Sequence, residues 1–278
     1  MQTFPSLSIN KNLSHFSIQE ILELCLKPNY WPTFMRLKQL AHQARYQHTE
    51  INIQGVQLKI LDTTSFLAMY DEIFSSHIYK FKSDKANPLI LDVGANIGLS
   101  ILYFKQLYPN CQITAFEPDC TVFSVLQHNI ESSHLSDITL INKAVWSSET
   151  VLQFMSEGAD GGRMVQVEQE APLLNVETVR LRDYIDRPID FLKIDIEGAE
   201  TEVLQDCCDV LHYVKYLFVE YHSFSNESQS LHQITGILQD AGFRLYITPA
   251  ISLPQPLYQR KSNLGMDVQL NIFAFRAE

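Results

Sequence analysis

The amino-acid sequence predicts an α/β fold, a mostly parallel, doubly wound β-sheet preceded by an N-terminal helical extension. From residue 88 onward, short apolar segments alternate with segments whose apolar residues recur at helical spacing. The apolar segments are nearly continuous, as in strands that helices cover on both faces. We therefore divide the 278 residues into an extension at 1–50 and a domain at 51–278, with a hairpin and helix at 51–86 leading into a core at 88–278.

Composition restricts the classes of partner. Hydrophobic residues make up 46% and charged residues 19% of the chain, which is typical of a folded globular protein. The formal net charge is −11, from 32 acidic and 21 basic residues. Because such a surface repels phosphate backbones and anionic lipid, we expect no nucleic-acid partner and no membrane partner.

Cysteine usage and the N-terminal residues predict a cytoplasmic location. The five cysteines are irregularly spaced and contain no CxxC pair, so neither a disulfide framework nor a zinc site is expected. Residues 1–12 lack a basic start followed by an apolar run, and no stretch approaches the length of a membrane span. The cysteines are Cys25, Cys111, Cys120, Cys207 and Cys208.

The extension and the lead-in have their own patterns. Ile18, Ile21 and Leu22 share one face of a predicted helix that Pro28 interrupts. Apolar residues occupy odd positions in 51–53 and even positions in 56–60, which predicts a hairpin with its turn between them. Leu67, Tyr70 and Phe74 follow at helical spacing, and an earlier aromatic group either packs on the domain or covers a pocket: Tyr30, Trp31 and Phe34.

The core shows the alternation of strands and helices most clearly. Strands are predicted at 89–91, 112–116, 138–141, 191–194, 216–219, 243–247 and 268–275. Helices are predicted from the apolar faces Ile97, Ile101, Phe104, Tyr108 and Phe123, Leu126, Ile130, and near 199–209 and 228–241. The segment 145–184 breaks this rhythm, and we interpret it as an inserted hairpin or an active-site loop.

The strongest motif is Asp92-Val93-Gly94-Ala95-Asn96-Ile97-Gly98, where the first strand turns into a helix. Ligands of open α/β sheets bind beyond the carboxyl ends of the strands, and glycines there let the backbone approach a ligand closely. A dinucleotide fingerprint needs glycines at the positions of Asn96 and Leu99, and no P-loop pattern is present. The remaining acid-x-G-x-x-x-G spacing resembles that of Rossmann-like S-adenosylmethionine-dependent methyltransferases. Its predicted cofactor-binding residues are Asp92, Gly94, Asn96 and Gly98.

Two later strand ends extend this prediction. Glu117 follows the second strand, where its carboxylate can accept hydrogen bonds from both ribose hydroxyls of a nucleoside. The alternative is a solvated acid at a strand end. After the third strand, Asn142 and Ala144 are expected beside the adenine, on topological grounds alone.

Four segments together resemble the FkbM family of methyltransferases. They are residues 91–98, 115–118, 193–200 and 219–220, they follow one another in the family's order, and the resemblance covers about residues 51–278. It implies S-adenosylmethionine as the cofactor. It also implies methylation of hydroxyls on a small-molecule acceptor such as a sugar, a polyketide or a peptide metabolite.

The run at 190–200 supplies the candidate catalytic residues. Lys193, Asp195 and Glu197 alternate at the end of an apolar strand. We expect Asp195 beside the methyl donor, where its charge favours the sulfonium or where a raised pKa lets it act as a base, and Lys193 to balance the acids. Salt-bridged residues at a strand end are the alternative. His222 is the histidine best placed to take a proton near neutral pH, unless it is an ordinary surface histidine.

The acids and the histidine at these strand ends also allow metal ligation, and the sequence leaves three classes of function open. Asp195, Glu197, Glu220 and His222 could group as metal ligands, but no local spacing demands it, so no metal is predicted. The leading hypothesis is an O-methyltransferase. The alternatives are an N-methyltransferase or a cofactor-using oxidoreductase, and a catalytically silent relic that binds cofactor or a partner; the absence of glycine at 96 weighs against NAD.

Overall fold

The structure is a computed structural model that describes residues 30–53, 55–155, 163–164, 173–251, 255–258 and 265–276. The predicted helix around residues 18–25 lies outside these ranges. The strands are β1 Thr49–Ile53, β2 Val56–Ile60, β3 Leu89–Val93, β4 Gln112–Phe116, β5 Ile138–Ile141, β6 Ala144–Trp146, β7 Val151–Met155, β8 Arg163–Met164, β9 Leu173–Arg180, β10 Ile189–Ile194, β11 Val214–Phe224, β12 Arg244–Pro249 and β13 Met266–Phe275. The α-helices are α1 Tyr30–Leu40, α2 Thr63–Tyr70, α3 Leu99–Leu107, α4 Cys120–Ser132, α5 Glu200–Asp206 and α6 Leu231–Asp240.

The central sheet has seven strands in the order β12-β13-β11-β10-β3-β4-β5. β13 is antiparallel to both of its neighbours, and the other pairings are parallel. The mostly parallel, doubly wound sheet is therefore confirmed. After β3 the chain builds outward through β4 and β5, and it returns to place β10 on the other side of β3. The carboxyl ends of β3 and β10 consequently border a topological switch point, where ligands of such sheets bind.

Helices cover both faces of this sheet because its strand residues alternate between two buried clusters. Ile90 belongs to the cluster that contains Phe104 of α3 and Leu126 of α4. The next residue, Leu91, belongs to the cluster that contains Leu204 of α5 and Leu238 of α6. Apolar residues on both faces of each strand thus account for the nearly continuous apolar runs in the sequence.

The elements that lead into the core match the predicted pattern. β1 and β2 pair antiparallel, with Ile51 opposite Leu58, and Gly55 takes φ +87° in the turn. α2 follows and continues into a π-helix at Asp71–Ser75, in which Ser76 N donates to Asp71 O. Within the described ranges, no helix has the length and apolar character needed to cross a membrane.

Two features of the core differ from the sequence interpretation. α3 begins at Leu99 and not at Ile97, because Gly98 takes the left-handed conformation at the helix N-cap. In the described part of the segment 145–184, β7, β8 and β9 form with β6 a sheet of order β6-β9-β7-β8, which is more than a single hairpin. Phe154 and Val176 are buried between its strands, so this small sheet has its own apolar contact.

Asn129 of α4 connects the hairpin to the start of α3. The side chain is fully buried. Its Oδ1 accepts from Lys59 N at 2.7 Å, and its Nδ2 donates to Lys59 O at 3.1 Å and to Ile97 O at 3.0 Å. One amide therefore satisfies three backbone groups from two separate segments.

We expect Asn129→Ala to lower the free energy of unfolding by about 3 kcal/mol, because three buried backbone groups lose their partner. Urea denaturation measures this change. Ser124→Ala, on the exposed face of the same helix, is the matched control and should change the free energy by less than about 0.5 kcal/mol. Equal, small effects of the two substitutions would contradict this account of Asn129.

Candidate active site

A cavity of about 780 Å³ opens at the carboxyl ends of β3, β4 and β10, beside the switch point. Its floor includes residues 93–96, Glu117 and Asp195. Its walls come from α2 and the π-helix, from Phe154 of the small sheet, and from residues 246–251. The volume is in the range of pockets that bind small molecules.

The glycine loop, residues 94–98, fits tightly against the end of β10. Gly94 has φ +88°, and a Cβ atom placed there would lie 1.8 Å from the backbone oxygen of Asp195. Gly98 has φ +95°, and a Cβ atom there would lie 2.8 Å from Leu126 Cδ1. Asn96 is also left-handed, with φ +48°, and its Oδ1 accepts from Ile97 N at 2.6 Å. Gly94 and Asn96 line the cavity, whereas Gly98 packs against α4.

Glu117 lies at the tip of β4, as predicted, and its carboxylate joins two backbone segments. It accepts from Asn96 N and from Asp119 N, each at 3.0 Å. The side chain is buried and borders the cavity. Burial raises the pKa of Glu117 to about 7, although the two backbone hydrogen bonds act in the opposite direction.

The two residues predicted beside an adenine have different positions. Ala144 is buried and lines the cavity. Asn142 does not line the cavity; its Nδ2 donates to Glu117 O at 2.8 Å and to Pro118 O at 3.2 Å. Asn142 therefore holds the backbone that carries the Glu117 carboxylate.

Lys193 of β10 binds the backbone of the glycine loop. Its buried ammonium donates to Gly94 O at 2.7 Å and lies 3.2 Å from Asp195 Oδ2 and 3.5 Å from Asp92 Oδ1. Burial alone would lower the pKa of Lys193, but the charges of Asp195 and Asp92 outweigh it and raise that pKa above its usual value. Asp92 is fully buried and does not line the cavity. It accepts a hydrogen bond from Ser100 Oγ, so it contacts residues that surround the loop and not the cavity itself.

Further carboxylates that line the cavity include Glu72, Asp195, Glu197 and Glu220. Burial raises the pKa of Glu220 well above its usual value, and the charge of Asp195 adds to the effect. Burial and Asp195 also raise the pKa of Glu72. Both shifts have burial as their largest cause, so Glu72 and Glu220 ionise less readily than free carboxyl groups.

His222 is buried in a cage of glutamates. Its Nδ1 contacts Glu200 Oε1 at 2.8 Å, and its Nε2 lies 3.6 Å from Glu197 Oε2 and 3.8 Å from Glu220 Oε1. Burial alone would lower the pKa of His222, but the carboxylates of Glu197 and Glu200 raise it well above its usual value. His222 does not line the cavity, and its Nε2 also lies 3.4 Å from Gln269 Nε2.

The polar residues of the cavity that the sequence did not predict include Glu72, Gln269 and Asn271. Glu72 lies on the π-helix, more than a hundred residues before the catalytic run. Gln269 and Asn271 lie on β13, opposite His222 and Glu220 in the register of β11. Gln269 Nε2 donates to Glu220 Oε1, and Asn271 Nδ2 donates to Glu72 Oε1 at 3.3 Å. Polar residues at alternate positions of an otherwise apolar late strand were the available signal.

The chain is similar to several known methyltransferases. The family model described as the methyltransferase FkbM domain matches residues 92–245. Methyltransferase sdnD of Sordaria araneosa is 32% identical over 214 residues, which cover 63% of this chain and 81% of that protein. The 2-O-methyltransferase NoeI of Sinorhizobium fredii is 28% identical over 160 residues, which cover 50% of this chain and 65% of that protein. A crystal structure of methyltransferase FkbM from Methylobacillus flagellatus is 18% identical, with a TM-score of 0.46 over 72% of this chain and 46% of that one.

We expect Gly94→Ala to lower the free energy of unfolding by about 3 kcal/mol, since the new methyl group overlaps the Asp195 carbonyl and the backbone is left-handed. Gly236→Ala is the matched control. Gly236 lies inside α6 with open space around it, so alanine should stabilise the protein by about 1 kcal/mol. Denaturant unfolding of both variants measures the difference, and two changes of the same sign would refute the close approach.

Proposed function

The chain belongs to the FkbM family of S-adenosylmethionine-dependent methyltransferases, and from this premise we propose that it methylates a hydroxyl group of a small acceptor. The observation that carries the proposal is one cavity that joins the Gly94 loop, the Glu117 carboxylate and Asp195. A sugar, a polyketide or a peptide metabolite is the acceptor class that we propose.

The residues of the floor suit a cationic nucleoside cofactor. Each oxygen of Glu117 accepts one backbone hydrogen bond and keeps a second lone pair, which can accept from a ribose hydroxyl. Ala144 offers an apolar surface for the adenine. Asp195 belongs to the acidic cluster, which favours the positive sulfonium. S-adenosylmethionine supplies, when bound, an activated methyl group on that sulfur.

Alignment is the main catalytic contribution that this site can make. Holding two reactants in the correct geometry recovers about 7–11 kcal/mol of barrier, whereas a general base adds about 10²–10⁴-fold in rate. The Lys193 contacts fix the loop relative to Asp195. The loop directly follows β3, and Asp195 directly follows β10, so both are attached to strands of the packed sheet. We therefore assign Asp195 to orientation of the donor, and Lys193 and Asp92 to positioning of the loop.

The walls suit an acceptor that carries both hydroxyl and apolar groups. Tyr246 and Ile251 present apolar surface at the mouth of the cavity and Phe154 lies inside it. Glu72 and Glu220 offer carboxylate oxygens that can accept hydrogen bonds from hydroxyls. An oxygen acceptor is further supported by the name of one relative, the 2-O-methyltransferase NoeI.

Methyl transfer is tested with purified protein, labelled S-adenosylmethionine, and pairs of hydroxylated metabolites and their amine analogues. We expect label in the hydroxylated member of a pair, with the methyl group on oxygen by mass spectrometry and NMR. Glu117→Ala should abolish transfer at low cofactor concentration, since the ribose loses its acceptor. Label on nitrogen would favour an N-methyltransferase, and cofactor binding without transfer to any acceptor would favour a silent relic.

Cofactor affinity should depend on pH through Glu117. The ionised carboxylate accepts the ribose hydrogen bonds, and the pKa of Glu117 without cofactor is about 7. Affinity should therefore be highest above pH 7 and should fall by up to about tenfold for each unit below it. Calorimetric titration with S-adenosylhomocysteine from pH 5.5 to 8.5 measures this profile.

Glu117→Gln should bind weakly and lose the pH dependence, because the amide does not titrate. Glu131→Gln, which replaces an exposed acid of α4, should keep the wild-type profile. A wild-type affinity that stays constant between pH 6 and 8, or a pH profile that survives in Glu117→Gln, would remove Glu117 from the cofactor site.

A further inference from the structure

We propose that Asp195, Glu220 and His222 form a binding site for a divalent metal ion at the edge of the cavity. A carboxylate oxygen of each acid and a ring nitrogen of the histidine all lie within 4.8 Å of one another. Two carboxylates and one imidazole are a ligand set typical of first-row divalent ions such as Mn²⁺.

The distances allow one ion to reach all three side chains. Ligand atoms about 2.1 Å from a metal lie at most about 4.2 Å apart, when they are opposite each other. His222 Nε2 and Glu220 Oε1 are 3.8 Å apart, which is within this limit. The largest separation in the group, up to 4.8 Å, needs a closure of about half an ångström, which a rotation of the partly exposed Asp195 side chain supplies.

The second ring nitrogen of His222 is arranged as in metal-binding histidines. Nδ1 contacts the carboxylate of Glu200 at 2.8 Å, and both side chains are almost fully buried. A ligating histidine typically donates its other ring N–H to a carboxylate, which orients the ring and selects the tautomer. Here that contact leaves Nε2 facing Glu197, Glu220 and the side-chain amide of Gln269, whose Nε2 lies 3.4 Å away.

An independent observation comes from β13. The Oδ1 atom of Asn271 is buried without a hydrogen-bond partner, and the residue, which is 5% exposed, lines the same cavity opposite Glu220. Gln269 Oε1 is buried without a partner as well. Buried amide oxygens are costly unless they are paired, and they are ligands for hard divalent ions or for the water molecules that such ions hold.

The charge of the cluster also calls for a cation. Glu197, Glu200 and Glu220 surround His222, and Asp195, which also lies 3.2 Å from the ammonium of Lys193, completes the cluster. A proton on Nε2 and a metal ion on Nε2 are the two ways to supply positive charge at this point, and a metal displaces the proton. If the proposed hydroxyl methylation is correct, the ion lies where it can bind the acceptor hydroxyl and hold it toward the donor; this role rests on that proposal.

The test is titration of the metal-free, full-length protein with Mn²⁺, followed by the electron paramagnetic resonance signal of free Mn²⁺. We expect one ion bound per chain. Glu220→Gln and His222→Gln should each weaken binding at least tenfold. Asp267→Asn, which replaces an exposed acid of β13 outside the three proposed ligands, is the matched control and should bind as the wild type does.

Electron spin-echo modulation of bound Mn²⁺ in the wild type provides a second measurement that does not depend on a variant folding. Coupling to an imidazole nitrogen supports the site, and its absence contradicts it. Mn²⁺ that stays free, or that binds equally well in Glu220→Gln and His222→Gln, overturns the proposal. These results are independent of methyl transfer, so a failure of the metal site and a failure of the proposed function are distinguishable.

Discussion

The buried ammonium of Lys193 is the interaction on which the rest of the site depends. It binds the carbonyl of Gly94 and faces the carboxylates of Asp92 and Asp195, so it joins the carboxyl ends of β3 and β10 at the switch point of the sheet. A buried charge is tolerated only when it is paired and hydrogen-bonded, and here the partners come from both strands. The same contacts that satisfy the lysine therefore place the loop and Asp195 at a defined distance from each other.

Around this ion pair, the floor and the walls of the cavity are built from different kinds of element. The floor consists of strand ends and the glycine loop, which leaves no room for a side chain at residue 94 beside the Asp195 carbonyl. The walls come from the π-helix, the small sheet and residues 246–251, which belong to peripheral elements. A fixed floor suits a cofactor that many enzymes share, and walls built from separate peripheral segments can differ in sequence and accept different acceptors.

Several of the predicted residues make contacts that the sequence did not predict. Asp92 and Asn142 were expected to contact the cofactor, yet both hold backbone that forms the site, through Lys193 and through the carbonyl of Glu117. His222 was expected to be a base or a surface residue, and it is instead buried among glutamates. In each case the residue type and the strand end were predicted correctly, but the direction of the side chain depends on neighbours distant in sequence.

The sequence by itself determined the order of strands and helices, the doubly wound sheet, the glycine loop and the acid at the tip of β4, because periodicity and glycine spacing are local properties of the chain. Only the tertiary structure decided that Glu72, Gln269 and Asn271 face Asp195, since these residues come from elements far apart in sequence. It also decided that the described strands of the segment 145–184 form a separate small sheet, because their pairing joins residues that no local sequence pattern relates. Charge, burial and pKa are properties of such assembled neighbours, and for that reason the chemistry of the cavity follows from the fold.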